Sequence, residues 1–335
     1  MTHRDNYKRL PLQDMALAPA TVKAYSKQLN NFLTYSRLSL QIIYSIVPHK
    51  LDRSMALFIQ HSYDSNLPFT YASHALQALV FYRPELKHGG LPQARACLKG
   101  WERVKKSQSH PPLTWEVTIV IACTMSHAGY HGPAVAMLVG FDCYLRVSEL
   151  TGLRRKDIVM PNDARMGRAH TKMAVCLPKT KTGPNQSVDI QRTEVAELLC
   201  AWMLSLPRNI GSRGRVFDFS PQWLARLIRN SCIGLGLGHI PYVPHSLRHG
   251  GATTDYLTKG SVEYVHHRGR WKSIESLRTY IQTARALLAA QNVPPHLNDL
   301  GQLLGDNIVT VLMECQHTIP EVVPRGRGRQ VTFKL

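Results

Sequence analysis

Residues 173–190, MAVCLPKTKTGPNQSVDI, interrupt a chain whose apolar residues otherwise recur at helical intervals. Two β-like runs flank a Lys/Thr/Gly/Pro/Asn turn, which is a hairpin signal. No alternating pattern appears before residue 106. Helices must therefore carry the core. The expected fold is mainly α: a helical bundle first, then an α-rich domain holding one small antiparallel β-hairpin or sheet.

Ahead of the hairpin, TVKAYSKQLNNFLTY sets Val22, Tyr25, Leu29, Phe32 and Leu33 on one helical stripe, with Thr21 as the expected N-cap. Lys23 and Lys27 lie off that stripe. Helical text continues around 54–63, 71–82 and 91–106, the last with Leu91, Ala94, Leu98 and Trp101 in phase. KKSQSHPP, 105–112, is polar and ends in two prolines, so it reads as a linker. Beyond it, Thr114 and Ser220 are expected caps, Gly129 and Gly234 expected stops, and PAVAMLVGFDCYLRVSELTGL a further helical region. GLGLGH, 234–239, follows a helix and lacks the strand that a nucleotide-binding glycine loop needs, so it reads as a helix exit. The organisation expected is an arm over 1–20, a helical unit over 21–106, a linker over 107–112 and a larger domain over 113–293. A C-terminal helix and basic tail, ending PRGRGRQVTFKL, follow over 294–335.

Charge narrows the partners. The 335 residues carry 41 Lys and Arg against 22 Asp and Glu, a formal charge of +19. The excess is spread: residues 1–110 hold 15 basic and 6 acidic side chains, the remainder 26 and 16. A long polyanion touching both halves accounts for this. Solubility alone, or a membrane-surface habit, is the plainer alternative. No apolar run reaches the roughly 18 residues of a membrane span, and the polar start MTHRDNYKRLPLQDM has no secretory core. Seven scattered cysteines without a CxxC pair argue against a zinc site or disulfide framework and fit a reducing, intracellular compartment.

HSLRHGGATTDYL, 245–257, raises a sharper question. His245 and Arg248 stand three apart, on one helical face, with Pro244 suited to the first turn. Singly, each polar residue has a plain structural reading. Arg146 has Glu149 three along as an ion-pair partner, and His245 alone is more often a hydrogen-bonded core histidine.

The order of the motifs changes the balance. LRVSELTGLRRKDI is followed by the hairpin with KTKTG, then HSLRHGGAT, then RGRWKSIESLRTY. This series resembles the tyrosine recombinase, or phage-integrase, family. Its pattern is an arginine in an L-R-x-x-E-L helix, a hairpin lysine, an H-x-L-R-H helix, a His or Trp, and a tyrosine nine residues later. Those positions here are Arg146, Lys181, His245, Arg248, Trp271 and Tyr280. The motifs cover about 115–285, and the helical N-terminal half is similar in architecture to the family's core-binding domain. The chain departs from the usual pattern in reading GRW where most members read GH. The wording LKGW, PPLTW and GRWKS resembles eukaryotic mobile-element members of the DIRS or Crypton kind.

The resemblance implies a catalytic domain that attacks a DNA phosphodiester. Arg146 and Arg248 would grip the non-bridging oxygens through planar donors. His245 would bond the phosphate or take the tyrosine proton, and Lys181 would protonate the leaving 5′-oxygen. Tyr280 would be the nucleophile, giving a 3′-phosphotyrosine and a free 5′-hydroxyl. Trp271 would donate to the phosphate or buttress Tyr280, with Glu149 and His249 supporting. Tyr256 and Tyr264 compete for the nucleophile's role on proximity, but their spacing suits helix packing.

No cofactor and no metal is expected, because the bond energy is retained. The expected partners are double-stranded DNA and further copies of the chain, a dimer to tetramer on paired sites, with no membrane. The expected place is intracellular, the nucleus if the source is eukaryotic. The expected outcome is integration or excision of a mobile element. Two other readings stand beside it: a type IB topoisomerase-like relaxing enzyme, and a catalytically silent DNA-binding protein of the same fold.

Overall fold

A computed structural model describes residues 15–105, 110–161, 172–180, 183–207 and 211–322. Residues 1–14 of the expected arm, 106 at the end of the expected helical unit, 107–109 of the expected linker, Lys181 and the tail from 323 lie outside them. The chain divides into two compact units, Met1–Gln108 and Ser109–Leu335.

The first unit is built from α1 (Pro19–Ser36), α2 (Leu40–Ser45), α3 (Pro48–Asp64), α4 (Phe69–Tyr82) and α5 (Pro92–Val104). Leu29 and Phe32 of the α1 stripe are buried, as are Leu91, Ala94 and Trp101, in one core with Phe58 and Leu79. α1 starts earlier than its sequence suggests. Ala18, not Thr21, is the N-cap, and Pro19 takes the first turn without a side-chain cap.

The second unit holds α6 (Trp115–His127), α7 (His131–Asp142), the single turn α8 (Val147–Leu150), α9 (Thr193–Ser205), α10 (Pro221–Gly234), α11 (Pro244–Lys259), α12 (Val262–Arg268), α13 (Ile274–Arg278), α14 (Thr283–Gln291), α15 (Pro295–Gly305) and α16 (Ile308–Thr318). A three-stranded antiparallel sheet, β1 (Ile158–Val159), β2 (Ala174–Thr180) and β3 (Gly183–Asp189), runs in the order β1-β2-β3. Thr180 faces Gly183 across the hairpin. α7 is buried over its whole length, which explains why its sequence shows no polar face.

Caps set several boundaries. The Thr114 hydroxyl accepts the Val117 N–H at 3.3 Å, and that of Ser220 accepts Trp223 at 3.2 Å. Gly234 is still helical, and Gly236, at φ +73°, ends the turn instead. The chain from 295 to 318 forms two helices where the sequence reading expects one. Both pack into this unit's own core through Leu297, Ile308 and Leu312. A Cβ at Gly301 would lie 2.5 Å from the Glu116 carbonyl. The Val322 N–H donates to the Gly129 carbonyl at 2.7 Å, and the Glu321 carboxylate accepts the His131 N–H at 3.0 Å.

The helical region expected over 133–153 is broken. Tyr144 takes a left-handed φ of +48°. The Leu145 N–H returns to the Gly140 carbonyl at 3.1 Å and the Tyr144 N–H to Phe141 at 3.3 Å. That is a Schellman ending for α7, with tyrosine where glycine is the usual residue. Its effect is to turn the chain so that Arg146 becomes the N-cap of α8.

Candidate active site

Helix α11 carries His245, Arg248 and His249 on one face, and its glycines set its depth. A Cβ on Gly250 would sit 2.1 Å from the Leu113 carbonyl, and one on Gly251 2.1 Å from that of Phe141. Only glycine lets the backbones approach so closely. The pair thereby seats Arg248 at 0% exposure beside the turn that ends α7.

Arg248 is held by backbone. Its Nη1 donates to the Tyr144 carbonyl and its Nη2 to the Gly269 carbonyl at 2.8 Å. The guanidinium carbon lies 4.3 Å from the Trp271 ring centroid and 5.2 Å from that of Tyr280. Arg146 is held by acid. Its Nη1 donates to Glu149 Oε1 at 2.6 Å, and its backbone N–H to Oε2 at 3.0 Å. A third guanidinium, that of Arg270, donates from Nη2 to the same Oε2 at 3.2 Å.

Tyr280 is half-buried in an aromatic enclosure. Its ring stacks on His249 with centroids 4.7 Å apart, and meets His245 at 5.3 Å and Trp271 at 5.0 Å. Its backbone is fixed by Thr253, whose hydroxyl donates to the Tyr280 carbonyl and accepts the Gln282 N–H, both at 3.2 Å. Gly269 makes room for the indole, since a Cβ there would lie 1.4 Å from Trp271 Cζ3. Tyr256, Tyr264 and Tyr280 all pack against the small cluster of Tyr144, Ala252, Val265, Trp271 and Leu277, and Tyr280 is the one whose ring also meets His245 and His249.

The electrostatics are lopsided. Burial pushes His245 down to about 4, helped by Arg248, and His249 down to about 4, helped by His245. Both imidazoles are therefore neutral at pH 7. Burial also lowers Arg248, with Arg146 and Arg270 adding to the effect and Glu149 opposing it. Among the described residues, Arg146 and Arg270 thus share the Glu149 carboxylate, while Arg248 beside them has only backbone carbonyls. Among the described residues, Arg248 Nε, Arg270 Nε and Nη1, and Trp271 Nε1 are buried donors without an acceptor. Such a set is suited to an anion that brings its own acceptors.

Beneath it lies a second ionic group. Arg268 donates to the Asp189 carbonyl at 2.9 Å and the Asp142 carbonyl at 2.6 Å, and its Nε stands 3.4 Å from Asp255 Oδ2. The Tyr144 hydroxyl donates to that same Asp255 oxygen. Arg268 thereby ties the end of β3 to α7 and α11.

Of the sequence-derived residues, Arg146, Glu149, His245, Arg248, His249, Trp271 and Tyr280 come together. Lys181 lies outside the described residues; its neighbour Lys179 is in β2, opposite Pro184. The reading missed Arg270, Arg268, Tyr144 and Thr253. The signal for the first two was the RGRW stretch, 268–271, of which it weighed only Trp271.

The architecture has counterparts among solved structures. The chain is similar to a lambda integrase dimer bound to a COC′ core site, at 15% identity over 83% of this chain and 94% of that one, TM-score 0.56. It is similar to the XerH site-specific recombinase on palindromic difH, at 16% identity over 81% and 78%, TM-score 0.54. It is similar also to the Tn1549 transposon integrase with circular intermediate DNA, at 14% identity over 80% and 98%, TM-score 0.52. No protein-family model matches the chain, and no curated protein sequence does.

Proposed function

We propose that this chain, which has the tyrosine-recombinase fold, is a site-specific DNA strand transferase working through a 3′-phosphotyrosine. The observation that carries the reading is the ring of Tyr280 set beside Arg248, His245 and Trp271, amid buried N–H donors that lack acceptors.

In this mechanism the Tyr280 oxygen attacks phosphorus and the P–O5′ bond breaks. Charge growing on the non-bridging oxygens is met by Arg146 and Arg248, whose geometry is fixed beforehand by Glu149 and by two backbone carbonyls. A neutral His245 is in the right form to accept the phenol proton. Lys181 gives a proton to the departing 5′-oxygen. The phosphodiester energy is kept in the tyrosine ester, and attack by a 5′-hydroxyl reverses the step. Residues 21–106 grip the DNA, and 113–293 form the catalytic domain. The partner is double-stranded DNA, with two to four copies of the chain assembled on paired sites. The biological outcome is integration or excision of a mobile element.

The test starts by selecting bound DNA from a random pool, then nicking the selected site. Wild-type protein is expected to leave a covalent adduct on a denaturing gel. Tyr280→Phe is expected to bind equally and leave none, while Tyr256→Phe still does. The absence of any wild-type adduct would favour a silent DNA-binding protein, and relaxation of plasmid without paired sites would favour a topoisomerase.

A further inference from the structure

α12 ends as α7 does. The Trp271 N–H returns to the His266 carbonyl at 3.3 Å and the Arg270 N–H to His267 at 3.1 Å. Arg270, at φ +58°, fills the left-handed position of this Schellman ending. Glycine is the low-energy residue there, and a long side chain is an outlier. Arg37 at the end of α1 takes a similar φ of +54° with its side chain exposed, whereas Arg270 is buried, and a strained backbone together with a buried charge points to work done by the side chain.

The side chain's surroundings say what that work is. It is only 5% exposed, and its one ionic partner among the described residues is Glu149, itself 5% exposed. Among the described residues, Glu149 is also the one carboxylate on Arg146. Left alone with Arg146, a buried carboxylate would compete with a phosphate for that guanidinium. Arg270 takes a share of Oε2, so the Arg146 charge is not fully spent on Glu149.

The geometry points to Arg270 as a positioning residue that acts through Glu149 to keep Arg146 oriented and available for an incoming phosphate. This rests on the strand-transfer reading for its chemistry, though not for its structural content. Nothing in it requires Arg270 to touch DNA.

Arg270→Gly is the telling variant, because glycine suits φ +58° and removes the guanidinium without straining the turn. On nicked DNA in single turnover, Arg270→Gly should form the Tyr280 adduct roughly ten- to a hundredfold more slowly, the usual scale for a misplaced catalytic group. DNA affinity should hold within about threefold. Arg270→Lys should recover part of the rate, since one ammonium can still reach Glu149. Combining Arg270→Gly with Glu149→Gln should give a rate no slower than the slower single variant, as for residues acting through one path. Rates that multiply, or a wild-type rate in Arg270→Gly, would overturn the proposal. Side-chain NMR of the Arg146 guanidinium separates this from the function itself. In Arg270→Gly its Nε–H resonance should shift, and titrated inorganic phosphate should perturb it less than in wild type. If the wild type forms no adduct, the strand-transfer reading fails, and an unmoved Arg146 resonance then refutes the Arg270 proposal independently.

Discussion

Two neutral imidazoles, His249 buried and His245 half-buried, make the stability of the second unit depend on pH in a calculable way. His245 and His249 are pushed down to about 4 in the folded protein, from about 6.5 in an unfolded chain. A depressed value means that the unfolded state binds protons first. The contribution is therefore fully present above about pH 6.5 and is lost as pH falls toward 4. Between pH 7 and pH 5, linkage for one such group gives about 1.8 kcal/mol of lost stability. His245 is partly open to solvent, and the two touching rings oppose each other's protonation, so the shares do not add in full and the pair contributes about 2 kcal/mol. The assay is urea unfolding at the two pH values for wild type and for His245→Gln/His249→Gln. The wild type should lose about 2 kcal/mol more than the double variant over that interval. Other groups titrate equally in both proteins and cancel. An identical pH response in the two would refute the burial argument. A larger fall in the variant would refute its sign.

Three further outcomes follow from particular contacts. Gly251→Ala should destabilise the unit by about 3 kcal/mol or more, because its Cβ meets a backbone carbonyl at 2.1 Å and not a movable side chain; a melting temperature within a degree of wild type would contradict that approach. Tyr144→Phe should cost about 1.5 kcal/mol, the low end for a charge-assisted hydrogen bond, since Asp255 is partly exposed and keeps Arg268 nearby; denaturant midpoints at unchanged m-value measure it. Lys181→Ala should cleave ordinary DNA roughly 10²–10⁴ times more slowly yet cleave a 5′-bridging sulfur substrate at nearly the wild-type rate, as loss of a general acid requires; rescue of Lys179→Ala in its place would move the role to that lysine.

How far the sequence reaches is clearest at the Schellman endings of α7 and α12. The apolar stripes of α1 and α5 and the hairpin were legible because burial imposes a period. The Thr114 and Ser220 caps were legible because each hydroxyl directly precedes its helix, whereas Thr21 misled because Pro19 starts α1 two residues earlier. The breaks at Tyr144 and Arg270 were not, because a left-handed turn is ordinarily announced by glycine and neither position has one. Arg146 was therefore expected within a helix, and it stands at the start of one. Arg248 and His245 were readable together from their spacing. What holds them was not: backbone carbonyls of Tyr144 and Gly269 carry no mark in the amino-acid code. The ionic group around Arg268 joins residues 142, 189, 255 and 268, and no local pattern connects such distant positions.

The docking of α15 and α16 against the second unit's own core fixes an order in time. Translation proceeds from the N-terminus at about 5–20 residues per second. Tyr280 and its surrounding side chains are made before residues 295–322, whose Leu297, Ile308 and Leu312 complete the core and whose Gly301 lies against Glu116. The interval between Tyr280 and Val322 is about 2–8 s at that speed. Through it, the nascent chain carries the tyrosine and its arginines on a scaffold still open along α6. Maturation of the pocket is thus coupled to the emergence of a segment that contributes no side chain to it, and a ribosome stalled inside that segment leaves the arginines present but their support unfinished.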